Sequence, residues 1–137
     1  MIKEFCEKWF KYKDDLRCYI KESKIKEFDE YGKLVELLFK YIINRDLENT
    51  NDLYNNFYEV KIGDYSGENV YIIADSHYFP SKVIITNISY GSCSACDTLL
   101  GIIGYNDEDT LDESGIDGIM QILLHLLQHC KKIDLEE

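Results

Sequence analysis

Three segments in the middle of the chain decide the fold: FYEVKI at 57–62, VYIIA at 70–74 and KVIITNISY at 82–90. Each is dense in β-branched and aromatic residues, which pack well on a pleated surface. Ser66-Gly67 marks a turn between the first two, and Pro80, the single proline, marks the connection to the third. Links this short leave no room for the dozen or more residues of a parallel crossover. The spacing therefore predicts an antiparallel meander of three strands.

On either side the period changes. Upstream, Ile2, Phe5, Trp9, Tyr12, Leu16, Tyr19 and Ile20 fall on one stripe at 3.6 residues per turn, which predicts a helix over Ile2–Glu22. Cys18 sits on its polar side and Cys6 at the stripe's margin. A second helix is expected from Phe28 to Arg45, with Tyr31, Leu34, Val35, Leu38, Tyr41 and Ile42 inward and paired antiparallel to the first. Gly32 weakens it early, by up to ~1 kcal/mol relative to Ala. DLENTND at 46–52 reads as a loop.

Downstream, GSCSACDT at 91–98 is a loop of small residues. A short helix is expected over Asp97–Ile103, then an acidic loop over Asn106–Glu113. A last helix over Gly115–Lys132 has Ser114 as its cap and Ile116, Ile119, Met120, Leu123, Leu127 and Cys130 on its apolar face. The resulting fold class is α+β in the order ααβββαα: an N-terminal helical pair, a three-stranded antiparallel meander and two C-terminal helices. One domain is expected to span 1–137.

The composition suits such a domain. The 137 residues are 45% hydrophobic and include 11 Tyr. A domain near this size buries roughly two-thirds of its unfolded surface, so neither metal nor disulfide is required merely to fold. The N-terminus mixes charge with aromatics and lacks the apolar run of a secretory signal. The longest apolar tract, Ile122–Leu127, is interrupted by His125 and falls far short of a membrane span. Five cysteines, an odd number, read as reduced thiols of a cytoplasmic protein.

Net charge is −11 and unevenly spread. Residues 1–26 carry eight Lys/Arg against five Asp/Glu, whereas 83–130 carry seven acids and no Lys or Arg. That half of the molecule repels a phosphate backbone, which argues against direct nucleic-acid binding. A partner protein with a basic surface is attracted by it. The same acidity also serves simple solubility.

Cys93, Cys96, His125 and His129 form a Cys-x₂-Cys…His-x₃-His set whose ligand types suit a tetrahedral zinc site. The two histidines share one helix face. The 28 intervening residues exceed the ~12–15 of ordinary zinc fingers, so the set closes only if the last helix packs beside the cysteine loop. Helical geometry puts both histidines opposite Leu123, on a polar side with Gly118, Gln121, Gln128 and Lys132.

Thiol exchange is the alternative for the cysteines. A helix N-terminus lends Cys96 thiolate character, Asp97 beside it opposes this, and the β-α-β setting of thioredoxin-like motifs is missing. Cys93 with His77 or His125 is a conceivable nucleophile–base pair of low specificity. No G-x-S-x-G elbow, P-loop or G-x-G-x-x-G occurs. The acids Asp107, Glu108, Asp109, Asp112 and Glu113 miss the spacing and glycine of an EF-hand and read as a solvated, partner-facing loop.

Tyr90-Gly91-Ser92-Cys93-Ser94-Ala95-Cys96-Asp97-Thr98-Leu99 resembles the Y-G-S-C-S-G-C-D-T-L signature of small uncharacterised phage and prophage proteins. In those, a D-Y-x-G segment precedes it, here Asp64–Gly67, and an L-H-L-x-Q helix follows, here Leu124–Gln128. The resemblance covers roughly residues 64–130, with Ala95 where Gly is usual. It implies a phage or prophage setting and an accessory role towards the host, and no established activity.

These observations converge on an acidic, non-enzymatic interaction protein. It is expected to bind a host protein with a basic surface, such as a defence-system component, with inhibition of that protein as one outcome, through its acidic and tyrosine-rich surface. No cofactor is expected under that reading. The alternatives are a zinc-stabilised module using Cys93, Cys96, His125 and His129, a Cys-x-x-Cys thiol oxidoreductase, or a protein that sequesters a small molecule.

Overall fold

The computed structural model describes residues 2–47, 53–64, 66–75, 80–91, 97–103 and 109–135. Helix α1 runs over Ile2–Glu22, as its stripe predicts, and buries Phe5, Trp9, Leu16 and Ile20. After a 3-10 turn at Ile25–Glu27, helix α2 occupies Tyr31–Leu38 and continues as a π-turn over Phe39–Ile43. This corrects the single helix expected over Phe28–Arg45. The π-turn is closed by the Asn44 N–H donating to the Phe39 carbonyl at 2.8 Å. Phe39, Ile42 and Ile43 are all buried along this turn. Phe39 packs edge-on against Tyr54 and Phe57.

The two helical segments are antiparallel. Lys8 donates to the Ile43 carbonyl, Arg45 lies over the Tyr12 ring, and Tyr19 meets Tyr41. Asn44 then splices the helical pair to the sheet: its side chain donates to the Tyr54 carbonyl and accepts from the Tyr54 N–H.

The sheet has four strands in the order β1-β2-β3-β4: Tyr54–Gly63, Gly67–Asp75, Lys82–Tyr90 and Lys131–Asp134, each antiparallel to its neighbour. The hairpin between β1 and β2 needs glycine at both ends. Gly63 has φ +113°, and a Cβ on Gly67 would lie 1.8 Å from the Ile62 carbonyl oxygen. Helix α3 (Thr98–Ile103) and helix α4 (Glu113–Gln128) complete the described chain.

The C-terminus departs from expectation. Helix α4 is capped by Asp112, whose side chain accepts from the Gly115 N–H at 2.8 Å, rather than by Ser114. It ends at Gln128 instead of Lys132, and Lys131–Asp134 adds a fourth strand beside β3. That strand rests on hydrogen bonds to a segment some fifty residues upstream, which no local pattern announces. The meander of three strands is thus a sheet of four.

Among the described residues, one sheet face is packed against the helices. Tyr71, Ile73, Ile84, Thr86 and Ile88 point to the helices and are buried with Leu34, Leu38, Ile119, Leu123 and Leu126. The opposite face carries Tyr58, Val60 and Ile62, all exposed. Among the described residues no helix is long and apolar enough to cross a membrane.

Candidate functional site

The signature stretch brackets a buried polar network. Tyr90-Gly91 ends β3 and Asp97-Thr98-Leu99 opens α3. The Asp97 carboxylate ties the two ends together. One oxygen accepts from the Gly91 N–H at 2.9 Å, and the other from Tyr31 Oη at 2.5 Å and the Leu100 N–H at 3.2 Å. Tyr31 Oη in turn accepts from the Leu99 N–H at 3.1 Å. Burial foremost, then the Asp97 carboxylate, holds the Tyr31 phenol above its usual range, so it stays a neutral donor. Tyr90 Oη donates to the Gly63 carbonyl at 2.8 Å, pinning the signature to the glycine hairpin.

Beside this network lies a cleft of about 310 Å³. Four carboxylates line it, from Asp29, Glu30, Glu59 and Asp97, with the rings of Tyr31, Tyr71 and Tyr90. Lys61 is the one cation among its lining residues. Its ammonium lies 5.9 Å from the Tyr90 ring centroid and 4.0 Å from a Glu59 oxygen. Two buried polar atoms on the cleft residues, Tyr71 Oη and Asn69 Oδ1, have no hydrogen-bond partner among the described residues. Native structures leave few such groups unpaired, and each marks a place where something outside the chain can supply the partner. The Glu59 carboxylate lies near Tyr71 without an accepted hydrogen bond. Burial, with that carboxylate second, raises the Tyr71 phenol above its usual range.

The sequence-predicted ligands are placed differently. Cys93, Cys96 and His77 lie outside the described residues, as do Asp107 and Glu108. His125 and His129 are exposed on α4, on the side the helical phase assigns, with ring centroids 4.0 Å apart. His129 Nδ1 lies 2.8 Å from the His125 carbonyl, which can only accept, so the proton sits on Nδ1. Burial, and then His129, lower the His125 pKa, while Glu68 opposes them.

A second cleft, about 280 Å³, is lined by Thr98 and His125 with Ile88, Ser89, Gln121 and Ile122. The last helix therefore does pack beside the exit of the cysteine loop. Among the described residues no group of three or more His, Cys, Asp or Glu side chains is arranged to hold a metal ion. At the start of α3, the Leu99, Leu100 and Gly101 N–H groups are already taken by Tyr31 Oη, Asp97 Oδ1 and the Asp97 carbonyl.

Two of the acids assigned to a partner-facing loop have internal work. Asp112 caps α4, and Glu113 pairs with Arg17 at 2.9 Å, which also holds Asp117 at 2.7 Å. The Asp109 side chain is exposed, and its carbonyl accepts from the Ile25 N–H. The cleft residues escaped sequence reasoning because Tyr31 falls in phase with an apolar helix face and Tyr71 within an apolar strand. Only Asp97, an acid between a small-residue loop and a helix start, carried a local signal. Comparison with protein-family models, curated proteins and solved structures returns no match.

Proposed function

We propose that the protein is a non-catalytic binding module for a basic partner, whose cationic side chain docks in the cleft formed by Asp29, Glu30, Glu59, Asp97 and the three tyrosines. One observation carries this reading: the cleft pairs four carboxylates with aromatic rings and already receives a cation, Lys61, beside Tyr90 and Glu59. Tyrosine faces attract ammonium and guanidinium groups within about 6 Å, and carboxylates add charge-assisted hydrogen bonds. The unpaired Asn69 Oδ1 is an acceptor for the incoming N–H groups. The acidic surroundings steer a positively charged surface towards the site. In the phage setting implied by the signature, that surface belongs to a host protein.

The test is titration of isotope-labelled protein with a short arginine-containing peptide, with the citrulline version as the neutral control. Saturable shifts at Tyr71, Tyr90 and Asn69, weakened by salt and absent with citrulline, are expected. Lys61→Ala removes the resident cation and is expected to tighten binding, while Glu59→Gln loosens it. Equal response to both peptides, or none, defeats the reading.

A further inference from the structure

The two edges of the sheet are treated differently. Strand β4 is four residues long and begins Lys131-Lys132, the short and charged form that blunts an edge. Strand β1 is ten residues long, and its register is regular from Asn56 to Gly63. Among the described residues it pairs on one side only, and its outward side chains Tyr58, Val60 and Ile62 are 60%, 47% and 59% exposed. A long edge with unpaired backbone groups and an apolar outer face is a template for another strand.

We infer that β1 pairs antiparallel with β1 of a second copy of this chain, about a two-fold axis through Val60, joining the sheets into one of eight strands. Charge selects both occupant and register. With the axis at Val60, Glu59 stands opposite Lys61 of the other copy, twice, on the inner face. On the outer face Val60 meets Val60, and Tyr58 meets Ile62. Moving the axis one residue to Glu59 opposes two carboxylates, and moving it to Lys61 opposes two ammonium groups. Like charges directly opposite are unfavourable, and opposite charges favourable. A single-residue slip of one strand against the other turns one copy's packed face over. The strand thus carries the complement of its own charge pattern in one register. This pairing does not depend on the cation-docking reading, although Glu59 and Lys61 set two clefts flanking the seam.

Sedimentation equilibrium on the full chain, in physiological salt to screen repulsion between two acidic copies, tests this. A concentration-dependent monomer–dimer equilibrium is expected. Glu59→Lys alone and Lys61→Glu alone each place like charges opposite, twice, and weaken the dimer about tenfold or more. The double variant Glu59→Lys with Lys61→Glu restores it. Val60→Asp, on the exposed face and harmless to the core, abolishes it. A wild-type chain that stays monomeric at every soluble concentration overturns the inference, as does a dimer indifferent to the single charge reversals. Circular dichroism of each variant separates loss of pairing from loss of fold.

Discussion

Tyr71 and Thr86 stand directly opposite each other on the packed face of the sheet, yet belong to two different regions. Thr86 lies under α4 at 0% exposure, and its hydroxyl donates to the Leu126 carbonyl at 2.7 Å. Tyr71 lies towards β1 and α2 at 3% exposure, and its hydroxyl has no partner. Burial is nearly equal, and satisfaction is opposite. On the α4 side, among the described residues, Thr86 and the Cys130 thiol both find the Leu126 carbonyl. On the α2 side the layers part, and the cleft with its carboxylates fills the gap. Accounting for partners, rather than for burial, separates the structural half of the face from the half available to a ligand.

The comparison can be broken at several points. The largest loss is expected from Ile84→Ala, which empties a fully buried site under α4 and costs about 2–5 kcal/mol in urea denaturation. Asp97→Ala comes next, at about 2–3 kcal/mol, because the Tyr31 hydroxyl and the Gly91 and Leu100 N–H groups lose their charged acceptor. Asp97→Asn is expected to recover part of that stability and less of the cation binding.

The sharpest contrast lies in the facing pair. Thr86→Val leaves the Leu126 carbonyl with only the weak Cys130 thiol donor and costs about 1–2 kcal/mol. Tyr71→Phe removes a hydroxyl that makes no hydrogen bond among the described residues, only a weaker interaction with the nearby Glu59 carboxylate, and stays within about 0.5 kcal/mol of wild type, while weakening peptide binding. Equal destabilisation by the two substitutions sinks the distinction.

Titration probes the α4 side more gently. Burial pushes the Cys130 thiol at the end of α4 up to about 12 from an ordinary 9.0. The folded chain therefore keeps a proton that the unfolded chain releases. Its contribution is full below pH 9 and is lost as pH rises towards 12, so Cys130→Ala flattens part of the alkaline decline. His125 has the reverse sign, with a pKa lowered from 6.5. Its contribution is present above pH 6.5 and fades as pH falls, and His125→Gln is expected to reduce that acid loss slightly. Urea midpoints across pH read both.

Local pattern made the elements legible where one face is buried continuously. The stripe of α1 and the β-branched run of β3 have the limits their side chains predict, Ile2–Glu22 and Lys82–Tyr90. Pattern misled where a distant contact overrides local phase. The π-turn at Phe39–Ile43 rests on packing against Tyr54 and Phe57, and β4 rests on pairing with β3. Of the signature stretch, Tyr90, Gly91 and Asp97 line the cleft. Of the histidine pair, His125 lines a second cleft together with Thr98.

The amino-acid sequence by itself determined the α+β class, the acidic balance and the antiparallel run of the first three strands, because periodicity and charge are properties of adjacent residues. Tertiary structure alone decided that Tyr31, Glu59 and Tyr71, from a helix and two strands, share one cleft with Asp97. It alone left one buried hydroxyl unanswered while its neighbour is bonded. Such assignments depend on which backbone segments pass within about 3 Å of a side chain, a distance that chain order does not encode.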